Sequence, residues 1–250
     1  MDPMTAGQFS LVFNAFSFTL AVMGAATVFL FLGRSQVSHQ YKTAVTISGI
    51  VTLIAFYHYF RIYESWQSAY VVTNGVVKAT GVVFNDAYRY VDWLLTVPLL
   101  LLELILVMRL SAQETAQKGM LLSGLAALVV WLGSPGEISA DPGTRWTWWA
   151  LSMVPFLIIV FQLLVGLSKS IDQQPPAARG LVSAARWIIL ITWSFYPIVF
   201  VLPMLGVSGG TATTYVQVGY TIADILSKAA FGIYIWVIAV QKSELSTATH

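Results

Sequence analysis

The sequence predicts an all-α membrane protein: a bundle of seven transmembrane helices with a short extracellular β-hairpin between the second and third. Three observations carry this reading. Of the 250 residues, 57% are hydrophobic and only 10% charged, whereas a soluble domain carries about 25% charged residues to cover its surface. Charge-poor runs approach or reach the roughly 20 residues that a helix needs to cross a bilayer. These runs also lack the strict alternation of membrane β-strands. Residues 1–250 therefore read as a single seven-helix domain whose first partner is the lipid bilayer.

The spans follow in order. Phe9 to Leu32 contains no charge, and Thr43 to Phe60 holds one histidine, His58. Tyr90 to Met108 is apolar apart from Asp92 and Glu103, and Gly119 to Gly133 is the shortest run. Trp146 to Ser168 is uncharged, as is Trp187 to Ala223, which the stretch GVSGGTATT from Gly206 to Thr214 divides in two. The last span continues to Val240 and carries Asp224 and Lys228. The first span lacks a basic flank and is too long for a signal-peptide core, so it is expected to be a retained helix.

Between the second and third spans lies AYVVTNGVVKATGVVF, from Ala69 to Phe84. Two β-branched runs around Asn74 and Gly75 predict a hairpin with a type I′ turn. Arg34, Lys42, Arg109, Lys118, Lys169, Arg179, Arg186 and Lys242 fall on one side of the membrane. The other side has Lys78 and Arg145 in its loops, with Arg61 and Arg89 near helix ends. The positive-inside rule then puts the N-terminus outside and the C-terminus in the cytoplasm, as expected for a multi-pass protein of the cell (inner) membrane.

Several functions are excluded or disfavoured by composition. A net charge of +2 gives no footprint for nucleic acid. Without cysteine there is no disulfide, thiolate metal site or thiol nucleophile. Three histidines, one of them His250, speak against a histidine metal site. No metal is expected, and no enzyme activity.

Charges within a membrane are costly, about 2.5–3.5 kcal/mol each at mid-bilayer, and are functional candidates for that reason. Lys228 lies too deep to snorkel. Its spacing from Asp224, four residues, allows a structural ion pair. An amine in an apolar pocket can equally form a Schiff base with a carbonyl compound. Asp92, Thr96 and Glu103 share one helix face, with the two carboxyls about 16 Å apart along the axis. They either line a structural cavity or form a proton relay. Among leucines and Ile105, Glu103 is expected to hold its proton, because desolvation disfavours the carboxylate. Trp66, Trp131 and Trp146 are expected in the interfacial belts, whereas Trp93, Trp149, Trp193 and Tyr196 lie deeper.

The run RYVDWLLTVPLLLLE, Arg89 to Glu103, closely resembles the microbial rhodopsins, most of all the proteorhodopsin and xanthorhodopsin-like outward proton pumps. WSFYP, from Trp193 to Pro197, resembles that family's sixth-helix signature, and DILSK, from Asp224 to Lys228, its retinal-attachment segment. The resemblance covers all seven spans. It implies all-trans retinal bound covalently to Lys228 as a protonated Schiff base, with Asp92 as counterion and proton acceptor and Asp224 as second counterion. Thr96 would be the middle member of the third-helix motif and Glu103 the cytoplasmic proton donor. His58 would hydrogen-bond Asp92, and Arg89 would poise the acceptor and its exit path. Trp93, Leu100, Trp149, Trp193, Tyr196 and Pro197 would line the chromophore, Leu100 favouring green absorption. The partners implied are protons and further copies of the chain in a homo-oligomer.

Some family features are missing. No acidic pair stands near the outer ends of the last two spans, so an early proton-release group is not expected. Sodium pumps place Asn, Asp and Gln at the three motif positions and chloride pumps lack the acceptor carboxylate; neither pattern is present. A photosensory rhodopsin of the same fold is the alternative, against which Glu103 speaks. Carotenoid-binding relatives carry a glycine where RWTWWALS, Arg145 to Ser152, has Trp149. No carotenoid antenna is therefore expected.

Overall fold

The computed structural model describes residues 3–247. The ends of the predicted domain, including His250, lie outside them. Seven helices long and apolar enough to cross a membrane follow one another: α1 (Ala6–Gln36), α2 (His39–Ala69), α3 (Ala87–Met108), α4 (Ala112–Ile138), α5 (Pro142–Asp172), α6 (Pro176–Leu205) and α7 (Gly209–Ser246). Consecutive helices from α1 to α5 pack as antiparallel neighbours, and α7 closes the ring against α1, α2 and α6. Large apolar side chains such as Phe18, Leu32, Trp131 and Ile191 point outward, as a lipid-facing surface requires. The interior is apolar too, so the few buried polar groups stand out.

Two strands connect α2 to α3: β1 (Tyr70–Thr73) and β2 (Val76–Ala79), paired antiparallel with Thr73 opposite Val76. Asn74 and Gly75 both have positive φ, 51° and 76°, the signature of the expected type I′ turn. The strands stop at Ala79, so Thr80 to Phe84 is not strand as the β-branched pattern suggests. Val76 also bridges to Thr5, just before α1, which ties the hairpin to the start of the bundle.

Three sequence expectations need correction. The break between the last two helices is much shorter than Gly206 to Thr214. After a 3-10 turn over Leu202–Leu205, Gly206 takes φ 96° and α7 begins at Gly209. Thr211, Thr213 and Thr214 are helical, and the Thr213 and Thr214 hydroxyls bond carbonyls one turn back. The fourth helix extends well past Gly133, to Ile138; Pro135 and two glycines in that stretch hide its continuation. Trp66 is not in an interfacial belt but wholly buried, stacked on Phe9 at 5.8 Å and edge-on to Phe16. Trp131 and Trp146 are exposed, as expected.

At the start of α5 the Asp141 carboxylate accepts hydrogen bonds from the Thr144 backbone N–H and hydroxyl, both 2.7 Å. These donors hold its pKa below the ordinary aspartate value. The lower value belongs to the folded state, so the cap stabilises above the unfolded pKa and is lost as pH falls through the folded one. Asp141→Ala should accordingly lower the thermal midpoint at neutral pH, and the gap to the parent should close in acid, below about pH 4. A gap unchanged across pH would contradict the capping role.

Candidate functional site

Lys228 is fully buried at the centre of the bundle. It sits where α7 widens into a π-helical turn, Ile225–Ala230, a local irregularity that often marks functional sites. Its ammonium pairs with Oδ2 of Asp92 on α3 and, at 2.9 Å, with Oδ1 of Asp224 one turn back on α7. The ion pair with Asp224 is therefore present, joined by a second one to Asp92 on α3. A buried charge is tolerated only with such partners, and removing one partner costs about 3–5 kcal/mol.

The two carboxylates differ sharply in their surroundings. Asp224 accepts hydrogen bonds from Tyr196 (2.7 Å), Trp93 Nε1 (3.0 Å) and Tyr59 (2.8 Å), and Arg89 stands 3.6 Å away. Asp92 is bound through Oδ2 to Lys228 alone, and its Oδ1 has no hydrogen-bond partner among the described residues. Thr96, one turn along α3, donates to the Asp92 backbone carbonyl (2.8 Å) and fixes the helix rather than the carboxylate.

Two of the expected contacts are absent. His58 faces Asp92 at 4.0 Å, too far for a hydrogen bond, because its Nδ1 engages the Ile54 carbonyl of its own helix at 2.9 Å. Arg89 reaches Asp224 and not Asp92. It bonds Tyr59 (2.9 Å), Gln217 (2.7 Å) and Asp86 (3.2 Å), and Gln217 in turn donates to Asp86 (2.9 Å). A polar chain thus runs from Asp224 toward the hairpin end of the bundle.

Glu103 lies on the opposite side of Lys228, eleven residues beyond Asp92 and fully buried. Neither of its carboxyl oxygens has a hydrogen-bond partner among the described residues. Leu104, Ile105 and the rest of the main hydrophobic core pack around this half of the bundle.

An apolar cavity adjoins the charged cluster, walled by Trp93, Val97, Trp149, Trp193, Tyr196 and Pro197 among others. Trp149 donates its indole N–H to the Pro197 carbonyl at 3.2 Å, which fixes the ring across the cavity wall between α5 and α6. Leu100 is not on this wall; it is packed in the core three residues beyond Val97. Of the residues read from sequence, Asp92, Asp224, Lys228, Trp93, Tyr196 and Arg89 meet in one network.

Tyr59 and Gln217 belong to that network and escaped the sequence reading. Gln217 had a signal, since Gln217, Thr221, Asp224 and Lys228 form a polar stripe at helical spacing along α7. Glu137 was missed because its span was ended at Gly133. It lies partly buried at the hairpin end of α4, near Tyr220 (3.3 Å), Tyr90 (3.4 Å) and Arg145 (3.7 Å).

A seven-helix bundle with a lysine buried between two aspartates defines a class, and the sequence agrees with it: residues 12–242 match the bacteriorhodopsin-like protein family. The chain belongs to that family, the microbial type 1 rhodopsins. It is 32% identical over 233 residues to the green-light absorbing proteorhodopsin of Gamma-proteobacterium EBAC31A08, covering 92% of this chain and 86% of the relative. It is 33% identical over 230 residues to the blue-light absorbing proteorhodopsin of Gamma-proteobacterium Hot 75m4, covering 91% and 86%. Its fold superimposes on that of xanthorhodopsin, described as a light-driven ion pump with dual chromophore, with a TM-score of 0.94, 47% identity and 99% of each chain covered.

Proposed function

We propose that this protein is a light-driven outward proton pump, with retinal on Lys228, Asp92 as proton acceptor and Glu103 as proton donor. The observation that carries the reading is the inequality of the two aspartates. Asp224 is filled with donors and stays a fixed counter-charge, whereas Asp92 keeps one oxygen without a hydrogen-bond partner, ready to take a proton. The residues suit retinal: an apolar cavity with flat aromatic walls adjoins the amine's ion-pair cluster through Trp93 and Tyr196, which line the cavity and bond Asp224. Retinal supplies light absorption and, through isomerisation, a change in proton affinity at the nitrogen.

The residues of the chain then set the direction. Asp92 lies on the hairpin side of Glu103, and Arg89, Gln217 and Asp86 lead outward from the cluster it shares with Asp224. Glu103 holds a proton on the other side. The excess of basic residues at the end opposite the hairpin supports placing that end in the cytoplasm. Transfer to Asp92, resupply from Glu103, release from Asp92 along the outer polar chain and uptake by Glu103 from the opposite side would together move one proton outward. The photosensory alternative leaves Glu103 without a task.

Replacing the acceptor tests this assignment. Asp92→Asn should show a red-shifted visible band at neutral pH, as the parent should in acid, because the cation loses its counter-charge; it should not acidify the medium in light. Lys228→Ala should form no band with added retinal. Full pumping by Asp92→Asn, or a covalent pigment in Lys228→Ala, would overturn the assignment.

Glu103→Gln keeps the shape of the donor and removes its proton. Flash-induced recovery of the visible band should slow by about a hundredfold or more, the scale of one lost acid–base group. The rate should fall further as pH rises, and azide should partly restore it. Recovery at the parent rate and independent of pH rules out the donor role.

A carotenoid antenna does not fit this chain, in our reading, because Trp149 closes the cavity wall where a polyene would need to approach. Excitation spectra recorded with an added hydroxylated or keto carotenoid should show no energy transfer to retinal. Carotenoid bands in those spectra would refute this.

A further inference from the structure

A second lysine is buried at the end of the bundle opposite the hairpin, where the mechanism above gives it no task. Lys242 of α7 is 5% exposed. Its ammonium donates to the carbonyls of Val107 (2.9 Å) and Met108 (3.1 Å), the last residues of α3, and to Oε1 of Gln174 (2.7 Å). Gln174, in the connection between α5 and α6, is buried as well. Its Nε2 returns to the Met108 carbonyl and to that of Ser170, both 3.1 Å. The Tyr41 ring lies 5.4 Å from the ammonium. One cation therefore ties α7 and the α5–α6 connection to the end of α3.

The place of this tie matters more than its strength. The last carbonyls of a helix have no partners within it and carry negative partial charge, so a cation is welcome there. Burying that cation among neutral oxygens still forfeits most of its hydration, an expensive way to join helices that an apolar side chain could join. Val107 follows Glu103 by four residues, about 6 Å of helix rise. The ammonium thus stands between the buried Glu103 carboxyl and the water at that end, and Ile171, Ile238 and Ala239 of the neighbouring segments belong to the same apolar core as Val107 and Met108. Arg109, in the left-handed conformation that ends α3, adds a second positive charge to the same end.

We propose that Lys242 is a positioning residue for Glu103. With Gln174 it holds the end of α3 closed against water, and its fixed charge keeps protons in that water from exchanging with the Glu103 carboxyl in the dark. What the seal serves rests on the donor reading of Glu103. The seal itself is a property of the resting protein and is measurable without light-driven transport.

The test is hydrogen–deuterium exchange at Glu103 in the dark pigment, followed by infrared spectroscopy through the carboxyl band that Glu103→Gln removes. Lys242→Met keeps the apolar stem and removes the charge with its hydrogen bonds; Gln174→Leu leaves the lysine in place but unties it. Exchange should quicken by about tenfold or more in Lys242→Met, the scale of lost charged hydrogen bonds, and measurably in Gln174→Leu. Lys242→Arg, which retains the charge, should stay closer to the parent. Exchange at the parent rate in both Lys242→Met and Gln174→Leu, with the visible band intact, overturns the proposal. Should Lys242→Met yield no pigment, parent-rate exchange in Gln174→Leu overturns it alone. A failure of the donor reading shows itself separately, as parent recovery kinetics in Glu103→Gln, and leaves the exchange result standing.

Discussion

Everything at the centre of this molecule follows from one constraint: an ammonium group has been placed where water cannot reach it. The solvation lost on burying such an ion amounts to several kcal/mol even after relaxation, and only opposite charge at contact distance offsets it. Asp92 and Asp224 supply that charge from two different helices. Two carboxylates around one cation leave a net negative charge, which Arg89, 3.6 Å from Asp224, helps to offset while also pairing with Asp86 at 3.2 Å. The π-helical turn at Ile225–Ala230 widens the α7 backbone just where Lys228 must meet both partners. Helices α3 and α7 are thus held together by electrostatics at mid-bundle, in a protein whose lipid-facing surface offers no hydrophobic drive toward helix association.

Charge pairing alone would not make a device, because two equivalent aspartates would share any incoming proton. The aromatic side chains remove the equivalence. Tyr59, Tyr196 and Trp93 come from α2, α6 and α3, and all three point their single polar hydrogen at Asp224. These donors are all spent on Asp224 and leave Asp92 with Lys228 as its one hydrogen-bonded side-chain partner among the described residues. The aromatic rings do two jobs with one placement, since the bodies of Trp93 and Tyr196 also wall the apolar cavity. His58 stands 4.0 Å from Asp92 without bonding it, its Nδ1 engaged with the Ile54 carbonyl of its own helix.

Much of this was legible in the sequence, for reasons that can be named. Charge in a membrane span is so costly that Asp92, Glu103, Asp224 and Lys228 announce themselves by being there at all, and helical spacing puts each on the inner face. Asn74 and Gly75 gave away their turn, because few residues accept positive φ. Tyr59 did not stand out, since a tyrosine in a membrane helix has the apolar body of any aromatic residue and reveals its role only when a partner from another helix meets its hydroxyl. Trp66 misled for the same reason: composition places tryptophans at interfaces on average, but its stacking on Phe9 comes from tertiary packing. The stretch from Gly206 to Thr214 looked like a long loop because Gly, Ser and Thr are weak helix formers. Packing in the bundle overrides that propensity: Ala212 and Thr214 are buried, and the Thr213 and Thr214 hydroxyls find partners in carbonyls one turn back.

The two halves of the bundle are built on opposite rules, and the asymmetry carries the direction of the reading proposed for it. On the hairpin side of Lys228, polar groups touch one another without interruption: Arg89 bonds Tyr59, Gln217 and Asp86, and Asp86 is partly exposed. A charge that arrives on that side meets groups able to respond to it and pass it toward solvent. On the other side Glu103 sits in the main apolar core with the buried Ser48 hydroxyl of α2 beside it, and toward the end of α3 come Lys242, Gln174 and the last carbonyls of that helix. In the reading proposed, a proton on Glu103 meets no charged neighbour and waits there for the central nitrogen. A polar half able to pass protons outward and an apolar half that withholds one would then bias transfer in a single direction.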